Sequence, residues 1–227
     1  MHIEPGVVVG AKLIVSYATA AGVLFYAAKQ SLKVIRKDGI TALGIRSIMS
    51  AILVLCFFEV LPHYPIGVSE VHFILGSTLF LIFGGAPAAI GLAAGLLIQS
   101  VFLAPTDLPQ YGMNVTSLLA PLFLIHALAH RIIPENTAYK DVEYKQALML
   151  STAYQGGVIA WVAIWASFGG GMGAENLAQI ASFGAAYMLV VVVEPVADLA
   201  VLAAAKSLHQ FKDSMIFHSR LYSTAAS

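Results

Sequence analysis

Long apolar segments separated by short polar ones restrict the fold of this chain more than any other feature. Glycine, proline and charged residues punctuate the sequence between these segments. A helix needs about 20 apolar residues to cross the hydrocarbon core of a bilayer. Only 11% of the 227 residues are charged, whereas a soluble domain carries about 25%. The sequence therefore predicts an all-α integral membrane protein of about seven transmembrane helices, forming a single transmembrane domain over residues 1–227. The predicted spans lie at roughly 7–28, 41–61, 71–84, 86–104, 115–132, 146–168 and 177–204.

The basic residues predict the orientation of these spans. Seven crossings place every Lys and Arg except Lys12 on one side of the membrane. By the positive-inside rule, the N-terminus lies outside and residues 206–227 form a cytoplasmic tail. Lys12 lies near the outer face, where it either snorkels to the interface or pairs with Glu59 or Glu70. The balanced net charge gives no electrostatic surface for nucleic acid.

The third predicted span, 71–84, is unusually short. Its fourteen residues make about 21 Å of helix, whereas the hydrocarbon core is roughly 30 Å thick. Either the span tilts through a thinned bilayer, or the preceding loop dips inward to meet it. Irregular backbone at membrane depth persists only where it is buried in protein or lines a cavity. The dip would bury Ser69, Glu70 and His72, where ionisable groups usually have a function.

The second residue, His2, is a candidate metal ligand. Its imidazole, its own backbone amide nitrogen and the α-amino group of Met1 can chelate a single ion together. One more imidazole from elsewhere in the chain would complete a plane of four nitrogen donors. Such a plane suits Ni²⁺ or Cu²⁺ and accepts Co²⁺, whereas Mg²⁺ and Ca²⁺ prefer oxygen ligands.

Three short motifs carry a resemblance to a known family. They are Met1-His2-Ile3-Glu4-Pro5-Gly6, then Gly67-Val68-Ser69-Glu70-Val71-His72, and then Gly112-Met113-Asn114-Val115. Together they resemble the cobalt/nickel M-type substrate-binding components of energy-coupling-factor transporters, the CbiM/NikM family. The resemblance covers roughly residues 1–130, and the remainder is similar in hydropathy.

The resemblance implies a set of site residues. The metal would be held by the terminal amine of Met1, by the backbone and side chain of His2, and by the side chain of His72. It also implies supporting roles for Ser69 and Glu70 in the loop before His72, and for Asn114. The family pattern points to His72 rather than His63, and we expect His63 to be solvated in the exposed part of the loop.

The function implied is the capture of Ni²⁺ or Co²⁺, as transported substrate, at the outer face of a prokaryotic cell membrane. No catalytic cofactor is expected. The chain contains no GxxxxGK[ST] phosphate-binding motif, so ATP hydrolysis would come from partner ATPase subunits. A transmembrane T component and a small accessory membrane subunit would complete the transporter. The alternative is a multispan membrane metalloenzyme that uses the same histidines, with Glu70 as its general base.

Two other polar pairs are open to two interpretations. His126 and His130 are four residues apart and share one helical face near the cytoplasmic end of the fifth span. They form either an interfacial pair or a metal exit route. Glu194 and Asp198 lie within the seventh span, where they serve either packing or ion passage.

Overall fold

The structure, a computed structural model, describes residues 3–134, 137–138 and 141–207. Within these residues the backbone forms seven α-helices and one two-stranded antiparallel sheet. The helices are α1 Lys12–Asp38, α2 Ile40–Leu55, α3 Gly76–Phe83, α4 Gly85–Phe102, α5 Tyr111–Ile132, α6 Tyr144–Gly170 and α7 Ala174–Ser207. The strands are β1 Tyr64–Ile66 and β2 Ser69–Val71, a π-helical turn Cys56–Val60 extends α2, and a 3₁₀ turn Pro105–Gln110 leads into α5. Residues 208–227 of the predicted cytoplasmic tail lie outside the described residues.

Helices α4 and α5 form the centre of the bundle. Helix α2 packs on α4, α1 and α6 pack on α5, and α7 packs on α6. The side chains of Leu92 and Leu118 on the central helices are fully buried, whereas Phe25 and Phe102 on the outer surface are 75% exposed. Large apolar side chains directed outward are expected of helices whose solvent is lipid.

The prediction of an all-α membrane protein with seven helices is confirmed. Among the described residues, four segments are long and apolar enough to cross a membrane. They are Ile40–Val60, Gly85–Phe102, Pro105–Ile132 and Tyr144–Gly170. Helices α1 and α7, with 27 and 34 residues, also exceed the length that a bilayer requires. The outward N-terminus and inward C-terminus remain predictions.

The predicted third span requires correction. Helix α3 has only eight residues, or about 12 Å, and cannot cross a bilayer alone. Every residue of α3 is buried, and the chain before it forms the β1–β2 hairpin rather than a helix. The described backbone therefore matches the second alternative, in which the loop before the short helix enters the bundle. Pairing between the strands Tyr64–Ile66 and Ser69–Val71 satisfies backbone groups that a continuous helix would satisfy within itself.

Lys12 lies against the end of α6. Its ammonium group donates hydrogen bonds to the carbonyl oxygens of Phe168 at 2.7 Å and Gly169 at 3.3 Å. It also lies 5.3 Å from the centre of the Phe168 ring. A cation is favourable at a helix C-terminus, where carbonyl groups have no helical partner. Of the two alternatives, the described residues do not show the ion pair with Glu59 or Glu70. The exposed Lys12 side chain instead joins the start of α1 to the end of α6.

Gly91 on α4 allows the close approach of α2. A Cβ atom at this position would overlap the side chain of Ser50 and lie 2.9 Å from the Ala51 nitrogen. We expect Gly91→Ala to destabilise the protein by about 1–3 kcal/mol, the usual effect of overpacking. Gly44→Ala on α2 is the matched control, because nothing lies within 4 Å of its added Cβ. Thermal unfolding in detergent measures both variants, and equal midpoints would contradict the close α2–α4 contact.

Candidate metal centre

The N-terminal segment is built into the protein beside the hairpin. Ile3 is fully buried and pairs with Ser69 of β2 as an isolated antiparallel bridge. The backbone N–H of Glu4 donates to the carbonyl oxygen of Val68 at 3.3 Å. The segment thus continues the sheet from β2, and its backbone groups are satisfied within the protein. The predicted ligands Met1 and His2 lie outside the described residues.

Asn114 attaches this segment to α5. Its side-chain oxygen Oδ1 accepts a hydrogen bond from the backbone N–H of Ile3 at 3.0 Å. Asn114 is fully buried in the first turn of α5, and its Nδ2 atom has no hydrogen-bond partner among the described residues. An amide that supplies an acceptor to a buried backbone N–H fixes the position of the whole segment.

His72 directly follows β2 and is 1% exposed. Its backbone N–H donates to the Tyr187 hydroxyl of α7 at 3.3 Å, and its Nε2 atom lies 2.9 Å from a carboxylate oxygen of Glu70. The rings of Phe58 and His63 pack beside it, with centroids 5.3 and 5.0 Å away. A carboxylate that accepts from Nε2–H fixes the tautomer of a neutral imidazole, so its lone pair is on Nδ1. Metal-ligating histidines commonly have this arrangement.

Acidic side chains surround the N-terminal segment. Partial burial raises the pKa of the Glu4 carboxyl above its usual value, and the neighbouring carboxylates of Glu70 and Asp107 raise it further. Three carboxyl groups thus contribute negative potential at this end of the bundle. Negative potential of this kind concentrates cations near a site.

The structure brings together four of the predicted site residues. Ser69, Glu70, His72 and Asn114 are all at least half-buried around the N-terminal segment. No group of three His, Cys, Asp or Glu side chains that could hold a metal occurs within the described residues. The predicted ligand set does not require one, because three of its four nitrogens come from Met1 and His2.

Two neighbours of His72 were not predicted. His63 is exposed, as expected, but its ring stacks on that of His72 at an interplanar angle of 15°. His63 directly precedes β1 and His72 directly follows β2, so the pairing of the two strands brings them together. Tyr187 lies 115 residues further along the chain, and no sequence spacing identifies such a contact.

The fold and the site define a class of protein: a multi-pass membrane protein with an imidazole and an N-terminal segment enclosed at one end of the bundle. Residues 2–210 match the model of the CbiM family, described as the cobalt uptake substrate-specific transmembrane region. The chain belongs to this family and is therefore a metal-transport component rather than an enzyme.

A solved structure supports the same fold. The crystal structure of a transition metal transporter is similar with a TM-score of 0.65 and 18% sequence identity. The match covers 93% of this chain and 98% of that one. At this identity the likeness concerns the fold alone. No curated protein matches the chain.

Asn114→Ala tests the attachment of the N-terminal segment. Loss of the Oδ1 acceptor leaves the buried N–H of Ile3 unsatisfied, which costs about 1–3 kcal/mol. We expect faster backbone hydrogen exchange in the first residues, measured by mass spectrometry. Ser117→Ala, one turn further along α5, is the control because its hydroxyl, among the described residues, bonds to its own helix at the Met113 carbonyl oxygen. Equal exchange in the two variants would show that Asn114 does not hold the segment.

Proposed function

We propose that this chain captures Ni²⁺ or Co²⁺ as the substrate-binding membrane component of an energy-coupling-factor transporter. The observation that carries the proposal is the burial of Ile3, whose N–H bonds to Asn114 at the start of α5. A two-residue segment spans at most about 7 Å. The ligand atoms that the proposal assigns to Met1 and His2 therefore need a position within this reach of the buried Ile3. The family description, cobalt uptake, supports the class of substrate.

In this proposal four nitrogen atoms bind the ion. The α-amino group of Met1, the backbone nitrogen and imidazole of His2, and the imidazole of His72 form a plane around it. Glu70 holds the His72 ring by its Nε2 atom, while Ser69 and Asn114 position the N-terminal segment. A plane of nitrogens favours Ni²⁺ and accepts Co²⁺ over the oxygen-preferring Mg²⁺ and Ca²⁺. Because the ligands must lose protons to bind, apparent affinity rises with pH.

The proposed orientation in the membrane rests on the distribution of basic residues, and the proposed ATPase partners rest on the absence of a phosphate-binding motif from this sequence. The candidate site lies at the end of the bundle where α1 and α5 begin. Basic residues cluster at the opposite end and include Arg36 and Lys37 on α1 and Arg131 on α5. By the positive-inside rule we place the site at the outer face of a prokaryotic cell membrane. The sequence has no phosphate-binding loop. ATP hydrolysis would therefore come from partner ATPase subunits, and the resemblance to the family adds a T component and a small accessory membrane subunit.

Adding one residue before Met1 tests the proposed chelate. The extension moves the α-amine away from His2, so we expect Ni²⁺ and Co²⁺ affinity to fall by more than about 100-fold, beyond the 10–100-fold effect of a supporting residue. Isothermal titration of the purified full-length protein measures this. The same residue added to the C-terminus is the control. Unchanged affinity in the N-terminally extended chain would exclude the amine as a ligand.

The histidine ligand is examined in the same titration. His72→Ala removes the fourth nitrogen, and we expect a loss of affinity comparable to that caused by the extension. His63→Ala removes an exposed imidazole that stacks on His72 and lies 3.3 Å from the Leu61 carbonyl oxygen, and we expect an effect of less than about 10-fold. If His63→Ala impaired binding as strongly as His72→Ala, the assignment of His72 as the sole loop ligand would fail.

Glu70→Gln tests the support of the His72 ring. A glutamine keeps the size of the side chain but weakens the hold on Nε2, so metal affinity should fall about 10–100-fold. The fall should affect Ni²⁺ and Co²⁺ alike, because the ligand atoms stay the same. Glu175→Gln, an exposed change at the start of α7, removes the same charge without contacting His72. Equal affinities in these two variants would assign Glu70 no role beyond its charge.

A further inference from the structure

A second pair of imidazoles lies at the other end of α5. His126 and His130 are one helical turn apart, and their Nε2 atoms are 3.3 Å from each other. Their ring centroids are 5.0 Å apart with an interplanar angle of 65°. Both rings therefore direct the same nitrogen atom towards a common point beside the helix.

This separation matches the spacing of two nitrogens bound to one metal ion. Imidazole nitrogens bind Zn²⁺ at about 2.0–2.1 Å, and similar lengths hold for neighbouring first-row divalent ions. Two nitrogens on a tetrahedral ion are then about 3.3 Å apart, and two adjacent nitrogens on a square or octahedral ion about 2.9 Å. The observed distance needs little or no change to accept a tetrahedral ion.

Packing from α3 and α4 fixes the inner imidazole of the pair. The ring of Phe80 on α3 meets the His126 ring edge to face, with centroids 5.6 Å apart. Gly85 at the start of α4 lies so close that an added Cβ would be 2.5 Å from the His126 Nδ1 atom. His126 is half-buried, whereas His130 is exposed. One ligand is thus held in place, and the other is accessible from the surface.

The position of the pair relates it to the site at the hairpin. Asn114, which holds the N-terminal segment, and His126 are twelve residues apart on α5, or about 18 Å. Helix α3 begins four residues after His72 and carries Phe80, which contacts His126. The same two helices therefore border both places. No third His, Cys, Asp or Glu joins the pair among the described residues, so the pair itself supplies two of the ion's ligands.

We propose that His126 and His130 form a second site for a divalent transition-metal ion, at the end of the bundle opposite the hairpin. The ligand class is a borderline ion such as Co²⁺, Ni²⁺ or Zn²⁺, bound by the two Nε2 atoms. The description of the hairpin end as a capture site rests on the proposed function, but the geometry of the histidine pair does not.

Co²⁺ binding to the full-length, N-terminally extended chain tests this proposal, because the extension is designed to disable the other site. Equilibrium dialysis gives the stoichiometry, and visible absorption reports nitrogen ligands on the ion. We expect one equivalent of Co²⁺ with a nitrogen-ligand spectrum. His130→Ala in the same chain should remove that equivalent without unfolding the protein, since His130 is exposed.

A matched control keeps the number of histidines constant. The double variant His130→Ala/Arg131→His moves the exposed imidazole by one position, which turns it about 100° around the helix and away from His126. We expect this variant to lose the bound ion, whereas His63→Ala at the hairpin should retain it. Retention of Co²⁺ by the double variant would overturn the pair as a chelate, because histidine content rather than spacing would then determine binding.

The two sites can fail independently in this design. The pair is judged by the difference of one equivalent between extended chains with and without His130→Ala, whatever happens at the hairpin. The second site would be overturned if the two extended chains bound equal amounts of Co²⁺, or if the extended chain bound no Co²⁺. The proposed function is judged separately by the effect of the extension itself.

Discussion

The absence of water at membrane depth is the constraint on which the arrangement of this protein depends. Helices satisfy their own backbone groups, but residues 61–75 do not form a helix and must find partners elsewhere. The β1–β2 hairpin satisfies part of this need, and Ile3 pairs with Ser69 to extend it. Asn114 then supplies an acceptor for the Ile3 N–H. A polar pocket within an apolar bundle results, and it encloses the His72 imidazole.

Much of the fold could be predicted because the constraint of a bilayer is simple. Apolar length and the placement of glycine and proline gave seven helices, and six predicted spans correspond to long helices. The third span failed because hydropathy reports whether a segment is buried, not whether it is helical. Residues 74–83 are buried, but they are covered by other parts of the protein rather than by lipid.

The candidate site was predictable to a different extent. Glu70, His72 and Asn114 were identified from local motifs, and the structure places them around the N-terminal segment. The contacts of His72 with Tyr187 and His63 were missed because they depend on how α7 and the hairpin pack. The carbonyl partners of Lys12 at the end of α6 were missed for a similar reason, since they are 156 residues away. Local sequence specifies candidate ligands, whereas the packing of distant helices specifies their neighbours.

The segment between Ile3 and Lys12 is attached at both ends to different parts of the bundle. Ile3 is held by α5 through Asn114, and Lys12 is held by the end of α6. Between them, Gly169 leaves room for the Val7 carbonyl, which an added Cβ would overlap. The backbone between these two attachments turns rather than extends, and Gly6 and Gly10 there have positive φ. Because one end is held by α5 and the other by α6, a shift of one of these helices against the other would change the distance between the two ends of the segment.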